Sequence, residues 1–112
     1  MHLPTRFRVR FFFEWGGGWL WCGNDATREF YGVGPIEGKL PISAEILERG
    51  DTLSAWHDTS LNWEYPPDPG TWTQEECDQF NTAVADFLVE LRRELEPSFE
   101  IQDEQGEVRL RL

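Results

Sequence analysis

The chain has 112 residues, 39% hydrophobic and 28% charged, enough for one compact domain over residues 1–112 and too few for two. Ten Lys and Arg stand against 21 Asp and Glu, a formal charge of −11. Such a surface repels nucleic acid and anionic membrane and favours cationic partners: basic proteins, cationic ligands or metal ions. No stretch approaches the roughly 20 apolar residues of a membrane span, and residues 1–4 open no apolar signal segment. The expectation is a cytoplasmic protein. Cys22 and Cys77 are isolated, with no CxxC and only two histidines, so no zinc pattern is present. A disulfide between them is disfavoured in a reducing compartment.

Residues 6–15 alternate. Phe7, Val9, Phe11 and Phe13 share one face, and Arg6, Arg8, Arg10 and Phe12 the other, the period of a half-buried strand. Gly16-Gly17-Gly18 turns the chain into the apolar run Trp19-Leu20-Trp21-Cys22, the pattern of a hairpin in which Trp15 and Trp19 pair across the strands. A short third strand is expected over residues 29–33, then a loop between Pro35 and Pro41. Ser43 caps a first helix, with Ile42 and Leu47 as hydrophobic staple. This helix buries Ile46, Leu47, Leu53, Trp56 and Leu61, with a kink at Gly50. Pro66-Pro67-Asp68-Pro69-Gly70 must be a loop. Thr73 and Glu76 form a capping box for a second helix, whose stripe is Cys77, Phe80, Val84, Phe87, Leu88, Leu91 and Leu95. Pro97 ends it. Residues 99–101 and 108–112 then alternate around a turn at residues 103–106, which reads as a C-terminal hairpin.

Candidate chemistry is sparse. His57 beside Asp58 suggests a base and its orienter. Adjacent helical residues point about 100° apart, however, and no nucleophile accompanies them. Packing or capping is the better reading of His57. Glu75-Glu76-x-Asp78 and Asp103-Glu104 lack the ligand spacing of a divalent site, and acids in a first helical turn favour the helix dipole. No metal or cofactor is expected. The arginine stripes at Arg6, Arg8, Arg10 and at Arg109, Arg111 are read as neutralising acids across strands, for example Glu100 and Glu107.

Two surfaces invite a partner. Asp78, Asp86, Glu90 and Glu94 follow one another at multiples of four along the second helix, where like charges destabilise by roughly 0.2–0.5 kcal/mol per pair. A solvated face and a docking face both remain open there. Around the proline loop, Trp63, Tyr65 and Trp72 stand among Asp58, Glu64 and Asp68. Trp63 and Trp72 are assigned to packing and Tyr65 to the surface.

These elements give an α+β fold: an antiparallel sheet from the N- and C-terminal hairpins with two helices packed on one face. In size, acidity and aromatic content the chain resembles the small acidic immunity proteins of bacterial toxin–immunity systems. The stretch Trp56-His57-Asp58-Thr59-Ser60-Leu61-Asn62-Trp63, leading into Pro66-Pro67, carries that resemblance. It implies one-to-one occlusion of a basic toxin domain, with no catalytic residue. Acids steer the encounter and an aromatic anchor holds it. The partner-binding residues expected are Asp58, Glu64, Tyr65, Asp68, Asp86 and Glu90. Two alternatives stand beside this reading. One is an acidic nucleic-acid mimic that inhibits a DNA-binding protein. The other is a small metal-dependent or His-based enzyme.

Overall fold

The computed structural model describes residues 7–61 and 71–109. Arg6, Trp63, Leu110 and Leu112 lie outside them, as do three expected site residues, Glu64, Tyr65 and Asp68. The elements run β1 (Phe7–Phe11), β2 (Leu20–Cys22), α1 (Asp25–Tyr31), a 3-10 turn (Glu37–Lys39), α2 (Ala44–Asp58), α3 (Gln74–Leu95) and β3 (Phe99–Asp103). Among the described residues no helix is long and apolar enough to cross a membrane.

The fold is α+β, but the sheet is mixed. Its order is β2-β1-β3. β1 pairs antiparallel with β2, with Phe11 opposite Leu20. It pairs parallel with β3, with Phe7 opposite Phe99 and Val9 opposite Ile101. The expected antiparallel sheet and C-terminal hairpin are therefore corrected. The helices carry the chain from β2 to the other edge of β1, where β3 runs opposite to β2 and so parallel to β1; parallel neighbours need such a long connection rather than a tight turn. Alternation along residues 99–103 marks a strand without marking its direction. The Glu104 N–H still donates to the Phe11 carbonyl of β1 at 2.9 Å, but residues 104–109 form no strand, and residues 110–112 of the expected last strand lie outside the described residues. Val108 instead exchanges backbone hydrogen bonds with the Asn81 side chain on α3 (2.8 and 3.0 Å).

A second correction concerns residues 25–31, where a helix replaces the expected third strand. Asn24 accepts from the Thr27 N–H at 3.0 Å, Asp25 occupies the first turn, and Gly32 closes the helix at φ 90°. The Thr27 hydroxyl is fully buried and bonds the backbone of Arg8, accepting from its N–H at 3.0 Å. That contact seals β1 where β2 ends.

The two long helices form as the caps dictate. Ser43 accepts from the Ile46 N–H at 3.2 Å, and Thr73 and Glu76 complete their capping box. All seven residues of the α3 stripe are buried. On it sits the apolar face of β1: Phe11 meets Phe87 at 6.1 Å and Phe13 meets Phe80 at 5.7 Å. α1 closes one end of the core through Tyr31, 5.4 Å from Phe7. α2 ends before Leu61.

Gly50 produces no break in α2, which runs through it. It is a notch. A Cβ there would lie 2.8 Å from Trp19 Cη2 and closer still to Cζ2 and Cε2. Trp19 is fully buried in that notch, so it does not pair with Trp15 across the hairpin. Its indole N–H donates to Asp51 Oδ1 at 2.9 Å.

Candidate partner-binding site

Helices α2 and α3 leave an open groove of about 490 Å³ between them. Its floor is Leu53 and Ala83 with the half-buried Trp56, and its walls carry Glu45, Glu48, Arg49 and Asp86. Trp56 is braced from beneath, edge-on to Phe80 at 5.2 Å and tilted on Trp72 at 6.0 Å. Past Ala83 and Asp86 a shallower hollow continues along α3 toward Asp78 and Thr82.

The acids of this protein divide by what they do. Many are used by the fold. Glu94 accepts from the Ser43 N–H and hydroxyl, each at 2.7 Å, and ties α3 to the start of α2. Asp58 accepts from the Gly16 N–H at 3.0 Å. Glu90 pairs with Arg93 at 2.8 Å, and Asp78 accepts from Gln74 at 2.9 Å. Glu100 and Glu104 pair with Arg8 and Arg10, so the β1 arginines neutralise acids as expected. Glu107 instead lies 3.9 Å from Arg109. Glu45, Glu48 and Asp86 have neither an ion pair nor a hydrogen bond among the described residues, and all three line the groove.

The structure thus separates the expected site residues. Asp86 is at the groove. Glu90 is one turn away, outside its lining. Asp58 lies at the far end of α2, holding the β1–β2 turn. Glu45, Glu48 and Trp56 were missed, although a signal exists: positions 45, 48, 52 and 56 recur at helical spacing and form one face of α2. Trp72 is buried as expected.

His57 is a packing residue. It is 5% exposed and stacks with Phe13 at 5.4 Å and Trp15 at 5.1 Å. Burial pushes its imidazole below the ordinary value, outweighing the opposite pull of Asp58. Cys22 and Cys77 are free thiols, and burial pushes Cys77 up. Among the described residues no group of three or more His, Cys, Asp or Glu side chains converges on a metal position.

Fold and groove define a small α+β protein that presents an open, acid-rimmed helical face. The family model described as Serratia CdiI immunity protein-like matches residues 7–103, from the first residue of β1 to the last of β3, and the chain belongs to that family. The resemblance to toxin–immunity proteins therefore stands. The search of curated proteins gives no match.

Proposed function

We propose that this protein neutralises a basic toxin domain by binding it one-to-one and occluding it, in the cytoplasm, with the α2–α3 groove at the centre of the contact. The observation that carries the reading is a set of acids at the groove, Glu45, Glu48 and Asp86, that make no ion pair or hydrogen bond among the described residues while neighbouring acids are bonded. They stand around an aromatic floor. A cationic side chain of the partner gains charge-assisted contacts there, and the Trp56 ring offers a cation–π surface. Acids on the rim steer the encounter. Glu64, Tyr65 and Asp68, in the sequence that follows α2, extend the proposed contact, with Tyr65 as its anchor. Binding alone suffices for this role, and no side chain is assigned a catalytic step.

The test starts from the protein co-purified with this chain from its native host. Produced alone, that partner should arrest growth, and co-production of this chain should relieve the arrest. Glu48→Lys with Asp86→Lys should abolish the relief without lowering thermal stability. Undiminished relief by that variant removes the groove from the contact, and a partner that arrests nothing removes the toxin reading.

A further inference from the structure

The turn joining β1 to β2 reaches across to the C-terminal end of α2 and is held there by three hydrogen bonds. The Gly16 N–H donates to Asp58 Oδ1 at 3.0 Å, the Trp15 indole N–H to Ser60 Oγ at 3.1 Å, and the Ser54 hydroxyl to the Gly17 carbonyl at 3.4 Å. Beneath the turn lies His57, 5% exposed, covered by a Trp15 ring that is itself 43% exposed. His57 Nδ1 is buried with no hydrogen-bond partner among the described residues. A neutral imidazole tolerates this position. A cationic one carries N–H donors on both nitrogens, and the one on Nδ1 would be buried unpaired.

The charged groups around His57 do not remove that conflict. Asp58, next to it on α2, already accepts from Gly16. Arg10 and Glu104 share the adjoining cleft of about 370 Å³ but pair with each other at 2.8 Å. Glu14, the acid of the turn itself, is exposed. From α3 the ring of Phe80 lies against the His57 ring at 5.8 Å. Hydration is therefore the available way to stabilise the charge. The turn has the means to admit water. Gly16 sits at φ 73° and Gly17 follows it, whereas Gly18 is wedged against Pro35 and Glu37, so motion is confined to the tip.

We propose that the Trp15 turn is an acid-released latch: when His57 takes up a proton, the turn lifts from α2 and exposes the imidazole and the indole together. The inference stands apart from the toxin reading. It makes the surface around Trp15 differ between neutral and mildly acidic conditions while the core stays folded.

Fluorine NMR of fluorotryptophan-labelled protein tests it. The six Trp give six signals, with that of Trp15 assigned by its loss in Trp15→Phe. Between about pH 8 and about pH 5, the Trp15 signal should move toward the position of free fluorotryptophan while the others stay. His57→Gln should hold it fixed. Ser60→Ala weakens the closed latch and should raise the titration midpoint by roughly half a pH unit. A Trp15 signal that stays put while the His57 ring protons titrate overturns the proposal. So does a titration that persists in His57→Gln, or one in which all signals move together. If His57→Gln does not fold, Ser60→Ala decides, and an unmoved midpoint overturns the latch.

Discussion

Replacing Gly50 by Ala sets two physical effects against each other. Helix propensity favours Ala over Gly by about 1 kcal/mol in a helix interior. Against that gain stands the ring of Trp19, with three carbons inside the distance that a real Cβ contact allows. The ring has no easy retreat. It is fully buried, edge-on to Phe87 at 5.4 Å, and tied through its indole N–H to Asp51 on the same helix. Overpacking of a filled core costs about 1–3 kcal/mol, and an overlap with three ring atoms belongs at the upper end. The net expectation is a loss of about 2 kcal/mol, seen as a fall in Tm of about 8 °C. Urea melts of Gly50→Ala, of Trp19→Leu and of the double variant form a cycle. A smaller side chain at position 19 should let the propensity gain return, so the double variant should be more stable than the two single losses added together. A Gly50→Ala protein as stable as the parent, or more so, would show that the notch argument is wrong.

Phe87→Ala removes a fully buried ring that touches both Phe11 and Trp19. It should cost about 3–5 kcal/mol, and a urea-melt difference under about 1 kcal/mol contradicts the packing of α3 on the sheet. Stability should fall with pH through His57. The unfolded chain takes up that proton near 6.5 while burial holds the folded imidazole neutral to lower pH, so in that window the unfolded state binds more protons and is favoured as pH falls. Urea midpoints compared above and below that window should therefore drop on acidification, and drop less in His57→Gln; equal drops contradict the assignment. Asp86→Lys should slow association with the toxin partner more than Glu90→Lys does, since only Asp86 lines the groove. Surface binding kinetics at two salt concentrations should show the parent's association rate falling with salt, and equal effects of the two reversals would point away from the groove.

The sequence by itself determined the elements whose signals are local. The capping box at Thr73, the spacing of the stripe behind it and Pro97 after it delimit α3 because a helix is written in neighbours three and four residues apart. Ser43 marks the start of α2 in the same way. Alternation sorts the two faces of β1, and the count of acids against bases sets the net charge. Only the tertiary structure decided which strand lies beside β1 and in which direction, because alternation is the same for parallel and antiparallel neighbours. Residues 25–31 carry a readable cap at Asn24, yet helix or strand there turned on Thr27 reaching the backbone of β1. Gly50 reads as a weak point in a helix until Trp19, 31 positions earlier, is seen to fill the space its missing side chain leaves. The acids are the clearest case. Asp86 and Glu94 look alike on one helix face, but Glu94 binds Ser43, 51 residues away, and Asp86 binds nothing among the described residues. A carboxylate's use is set by what the fold brings within hydrogen-bond reach of it. That distance exists only once the helices have packed.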